Sequence, residues 1–90
     1  MEDAKRKIDL VSGVSEALKF KKNNPRVSDE RVMEHIMKFI KDRRFKETKL
    51  DIIVGVAYTL NIIERNPKIK DKEVVQLIVK NINNILPKDS

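Results

Sequence analysis

The feature that most constrains this chain is a repeat, because residues 7–42 align without a gap on residues 49–84. A constant offset of 42 residues pairs identical side chains at 12 of the 36 positions: Lys7/Lys49, Asp9/Asp51, Gly13/Gly55, Val14/Val56, Leu18/Leu60, Asn24/Asn66, Pro25/Pro67, Asp29/Asp71, Val32/Val74, Ile36/Ile78, Lys38/Lys80 and Ile40/Ile82. Self-similarity at a fixed period marks a supersecondary unit used more than once. Whatever residues 7–42 form, residues 49–84 are expected to form again.

Each copy reads as helix, proline turn, helix. In the first, Ile8, Val11, Val14 and Leu18 recur at helical spacing, with Leu10 and Ala17 widening the stripe until Asn23-Asn24-Pro25 interrupts it. The proline ring restricts Asn24 to extended backbone and removes an amide donor, so the helix ends there. Val27 and Val32 stand five apart, as do Ile69 and Val74, the spacing of a hydrophobic staple across a helix start. Asp29 and Asp71 then fall in a first turn, where the helix dipole favours acid. The second helices are expected to begin near 28 and 70. Their stripes are Val32, Met33, Ile36, Met37 and Ile40 in copy one, and Val74, Val75, Ile78, Val79, Ile82 and Ile85 in copy two. Residues 42–47 make a short polar connector, and Thr48 with Asp51 fits an N-cap for the third helix. Short connections keep successive helices antiparallel and adjacent, which puts turns 23–28 and 65–70 at the same end. The expected fold is all-α: a compact four-helix array of two tandem αα-hairpins, close to a HEAT-like pair.

Composition agrees with one helical domain over residues 1–90. The chain is 40% hydrophobic and 38% charged, enough apolar material for a single core under a heavy coat of charge. With 2 Gly and 3 Pro there is little chain for turns or strand bulges. Cysteine is absent, which excludes disulfides, thiolate nucleophiles and Cys-ligated metals. No apolar run approaches the ~20 residues of a membrane span. Met1-Glu2-Asp3-Ala4-Lys5-Arg6-Lys7 has no signal-peptide apolar region behind it, so a soluble cytoplasmic protein without membrane contact is expected.

Chemistry-bearing motifs are sparse. His35 is the single histidine, and the bundle-type Glu-x-x-His metal motif would need an acid at position 32, which is Val. It reads as a residue at the fringe of its helix. No Ser-His-Asp arrangement and no Gly-rich loop is present, so no catalysis, metal, cofactor or small-molecule substrate is expected. Gly13 and Gly55 leave two readings open, close helix approach or simple tolerance, since Gly costs about 1 kcal/mol relative to Ala inside a helix.

The net charge of +6 makes an anionic partner conceivable. Lys19, Lys21, Lys22 and Arg26 gather near one turn, Arg65, Lys68, Lys70 and Lys72 near the other, and Lys41, Arg43, Arg44 and Lys46 in the connector. The connector group is the candidate nucleic-acid contact. Against it, basic helix ends and acidic helix starts are what helix dipoles favour, and an aromatic content of 4% offers little for bases to stack on.

The segment Tyr58-Thr59-Leu60-Asn61-Ile62-Ile63-Glu64-Arg65-Asn66-Pro67-Lys68-Ile69 resembles part of a family of small uncharacterised archaeal proteins built as two tandem helical hairpins. The pattern is Tyr58, Leu60, an amide at Asn61, Ile63 and Asn66-Pro67-x-Ile69; Lys70 departs from it, where that family carries a second proline. The resemblance implies a fold and an archaeal cytoplasmic setting, with no activity attached.

The two copies also differ in a directed way. Ser12, Ser15, Glu16, Lys21 and His35 are matched by Val54, Ala57, Tyr58, Ile63 and Leu77, so copy two is more apolar at the margins of its stripes. Soluble monomers seldom leave such margins open. The expected function is a non-catalytic protein-interaction module that self-associates as a homodimer through Val54, Ala57 and Leu77. The alternative is weak, sequence-independent nucleic-acid binding through turn and connector Lys/Arg, with Lys41, Arg43, Arg44 and Lys46 as contacts.

Overall fold

The first and third helices stop just ahead of Pro25 and Pro67. The computed structural model describes residues 3–88, and its elements are α1 (Asp3–Asn23), α2 (Asp29–Asp42), α3 (Lys49–Arg65), α4 (Asp71–Lys80) and a single turn, α5 (Ile82–Ile85), with no strand among the described residues. Each proline turn closes with the same backbone bond, Val27 N–H to the Asn24 carbonyl and Ile69 N–H to the Asn66 carbonyl, both at 3.0 Å. The starts of α2 and α4 fall at the expected places but are capped differently. The Ser28 hydroxyl accepts from Arg31 N–H at 3.2 Å, whereas Lys70 has no acceptor to offer and its own N–H instead donates to Glu73 Oε1 at 3.3 Å. Each staple pair shares one apolar cluster, Val27 with Val32 and Ile69 with Val74.

The most extensive helix contact is between α1 and α3. Both glycines lie in it, buried, and close helix approach is the reading that holds. A Cβ on Gly13 would overlap Cγ2 of Ile52, and one on Gly55 would stand 2.7 Å from Cγ of Leu10. Arg6 meets Asp51 and, four residues on, Leu10 meets Gly55; Thr48 meets Asp9 and, four residues on, Ile52 meets Gly13. The two helices therefore advance together in the same direction. The chain must return between them, so α2 and α4 run back from turns that lie at one end, with the 43–48 connector at the other.

Two apolar clusters flank this crossing. Leu10, Val14 and Leu18 of α1 pack with Val74, Ile78, Ile82 and Ile85 of α4 and α5, while Ile52, Val56 and Leu60 of α3 pack with Val32, Ile36 and Ile40 of α2, joined by Ala17. The Cα radius of gyration is 12.3 Å, close to the roughly 12 Å of a compact chain this long. Polar contacts fill the end of the crossing. Arg6 donates from Nε and Nη2 to the two carboxylate oxygens of Asp51 at 3.0 and 2.9 Å and reaches the Pro87 carbonyl at 2.6 Å, while the buried Thr48 hydroxyl donates to Asp9 Oδ2 at 2.8 Å. Among the described residues no buried side-chain nitrogen or oxygen lacks a partner.

Two expectations are corrected. The last stripe does not ride on one helix, because Asn81 interrupts it with φ −106° and ψ 13°. Its side-chain amide donates to the Leu77 carbonyl at 2.9 Å, a local bond that competes with the helical ladder, and a fifth helical turn follows. Thr48 does stand at the N-cap position of α3, yet it makes no capping bond, since Asp9 takes its hydroxyl.

Candidate nucleic-acid interface

The C-terminal turns of α2, the connector and the first residue of α3 enclose a groove of about 590 Å³. Its floor is apolar, made by Met37 and by Ile40, where the α2–α3 cluster reaches the surface. Around that floor stand five cations, Lys38, Lys41, Arg44, Lys46 and Lys49, with no carboxylate in the lining. All five are exposed, and none forms an ion pair among the described residues. Helical geometry explains part of the convergence: Lys38 and Lys41 are three apart and share a face of α2. The rest depends on how the helix ends.

That ending is a Schellman turn. Phe45 N–H bonds to the Ile40 carbonyl at 3.0 Å and Arg44 N–H to the Lys41 carbonyl at 3.2 Å, which puts Arg44 at the position that adopts left-handed backbone. Its φ is 59°, and it is the one non-glycine residue with positive φ among those described. Glycine would take this conformation freely, whereas a side chain there costs roughly 1 kcal/mol. The arginine is thus held beside the groove against a backbone penalty.

Of the four connector residues expected to meet nucleic acid, three come together here: Lys41, Arg44 and Lys46. Arg43 does not join them. Its guanidinium lies over the Phe39 ring, 5.5 Å from the centroid, on a neighbouring depression lined also by Glu16, His35 and Asp42. Sequence reasoning missed Lys38 and Lys49, although the three-residue spacing of Lys38 from Lys41 was a usable signal for the first. Lys49 joins only because the chain turns back at the connector. The basic residues of the proline turns are less concentrated: Arg26 and Arg31 line an open depression with Phe20, Asn23 and Ser28.

His35 is not a bare fringe residue. Its Nε2 stands 2.7 Å from Glu16 Oε2 and its ring stacks on Phe20 with centroids 4.1 Å apart, tying α2 to α1. Of the proposed self-association residues, Val54 is half-buried against the α1–α4 cluster, while Ala57 is exposed and Leu77 keeps 38% of its surface. Val54 and Ala57 line a shallow depression on α3 with Tyr58, Asn61, Ile62 and Arg65, and Leu77 lies outside it on α4. Among the described residues no three His, Asp or Glu side chains gather as a metal site, and no helix is long and apolar enough to cross a membrane.

Comparison with known proteins adds no relative, as no family model, no curated protein and no solved structure matches the chain.

Proposed function

We propose that the groove between the end of α2 and the start of α3 binds the phosphate backbone of nucleic acid without reading its sequence. The observation that carries this reading is the ring of five Lys/Arg side chains over an apolar floor, with no carboxylate in the lining and no ion pair among the described residues. Lysine and arginine that neutralise phosphates release condensed counterions, so such binding weakens steeply with salt. Backbone contacts fix position and carry no sequence information, and the lining offers no aromatic ring for a base to stack on. Arg44 adds support, since a side chain kept in left-handed backbone is a cost that function can explain. The test is fluorescence anisotropy with short labelled DNA and RNA strands over a salt series. Five contacts give a log–log salt slope of about −3 to −4 for single strands. Binding that ignores salt, or that Lys41→Glu with Arg44→Glu leaves undiminished, overturns the proposal.

The framework that presents the groove is read as two tandem hairpins related by the 42-residue offset. Supporting that reading, the offset carries Leu10, Val14 and Leu18 onto Ile52, Val56 and Leu60, and Val32, Ile36 and Ile40 onto Val74, Ile78 and Ile82, the members of the two clusters.

A second reading is a protein-interaction module that self-associates through α3 and α4. It is favoured by the exposed apolar side chains Tyr58 at 43%, Leu77 at 38% and Val79 at 51%. Sedimentation of the wild type against Val54→Ser with Leu77→Lys decides it, because a wild type that stays monomeric at high concentration rules this contact out.

A further inference from the structure

Resting on the groove reading, we infer that the depression beside the groove receives an unpaired nucleobase, so that the protein prefers single-stranded nucleic acid to a duplex. The strand's phosphates lie in the groove. Lys38 lines both cavities and is the border between them. With about 3.6 residues per turn, Met37 and Lys41 fall on one side of Lys38, and His35, Phe39 and Asp42 on the other. A strand bound in the groove therefore passes the mouth of the depression.

The two sides differ in chemistry. The groove carries cations alone, whereas the depression, of about 340 Å³, sets the carboxylates of Glu16 and Asp42 beside Lys38, His35, Arg43 and the Phe39 ring. Carboxylates repel a phosphate, yet they accept hydrogen bonds from the N–H groups that an unpaired base exposes. The stacking surface is already assembled. Phe45, packed on the α2–α3 cluster, meets Phe39 with ring centroids 5.6 Å apart, and the exposed Arg43 guanidinium lies over the Phe39 ring at 5.5 Å. Bases stack on guanidinium planes as well as on rings, and such stacking tolerates any sequence. In a duplex each base is already stacked and paired, so only an unpaired one enters. Cations acting alone favour the duplex, whose charge is denser, and a preference for single strands therefore reports the depression.

The test is fluorescence anisotropy on the full chain with short labelled single strands of DNA and RNA, the DNA duplex, and an abasic strand of the same length, all at one salt concentration. The base-bearing single strands should bind at least about fivefold more tightly than the abasic strand or the duplex, which is the effect of one stacked base. Phe39→Leu keeps apolar bulk and Arg43→Lys keeps charge. Each should lower single-strand affinity toward that of the abasic strand, with the salt slope unchanged. Circular dichroism checks that Phe39→Leu is folded, and exposed Arg43 carries the test if it is not. Salt-dependent binding without preference for the base-bearing strands, or a preference that every folded variant retains in full, overturns the inference and leaves the groove reading standing. Failure of every strand to bind removes both.

Discussion

The stretches that close α2 and α4 correspond at the 42-residue offset, and they differ where the two clusters are alike. Ile40 and Ile82 are both core, and Lys38 and Lys80 are both exposed cations. Beyond them Lys41 faces Asn83 in the alignment, and two positions past its end the same offset brings Arg44 opposite Leu86. The α2 end closes in a Schellman turn with Arg44 at φ 59°, while the other breaks at Asn81, adds α5 and reaches Leu86 at φ −59°, half-buried against the first cluster. Apolar positions that must interlock tolerate little change, whereas a surface end is free to acquire charge. The difference between the halves is therefore the better guide to function, and their likeness the better guide to stability.

The largest effect is expected where one pair of matching contacts is ionic and its counterpart neutral. Asp51→Ala takes the bidentate carboxylate away from the buried Arg6 guanidinium and should cost about 3–5 kcal/mol in urea unfolding. Thr48→Val removes only a hydroxyl bond to Asp9, which keeps Lys5 at 2.8 Å, and should cost about 1 kcal/mol. Equal losses would mean that the two contacts are energetically alike.

Exchanging the character of the two ends tests the groove. Lys41→Glu with Arg44→Glu should lower the salt slope of single-strand binding by about 1.4 and weaken binding to all sequences alike. The graft Asn83→Lys with Leu86→Arg should steepen that slope. A graft without effect would mean that cation number alone does not make the site.

The glycines differ in what they touch. Gly13→Ala drives a methyl into Ile52 Cγ2, which is fixed to a stiff β-branched carbon, so overpacking outweighs the ~1 kcal/mol helix gain and the net loss should be about 1–2 kcal/mol. Gly55→Ala meets Leu10 at 2.7 Å from Cγ and 2.8 Å from Cδ2, a smaller overlap, and should cost less. Thermal unfolding of the two variants side by side measures the order.

The smallest effect has the opposite sign. Arg44→Gly relieves left-handed backbone and should stabilise the fold by up to about 1 kcal/mol while weakening anion binding. The matching change Leu86→Gly should destabilise, since it removes a half-buried apolar side chain. Scanning calorimetry paired with anisotropy separates the stability change from the binding change.

Helix positions, proline turns and the members of the core follow from local pattern, because the spacing of Val14, Leu18, Val32 and Ile36 and the backbone limits imposed by Pro25 and Pro67 act within a few residues. Which face meets which does not follow from local pattern. Leu10 packing with Ile78 of the other half, and Arg6 with Asp51, arise from the crossing of α1 and α3, and many pairings of the same stripes satisfy the sequence equally well. The groove shows the same division. Lys41, Arg44 and Lys46 stand out as a basic run, but Arg43 is sent away by the turn that puts Arg44 in left-handed backbone, and Lys49 arrives from the next helix. Charge is a property of residues, whereas convergence is set by the tertiary path of the backbone that carries them.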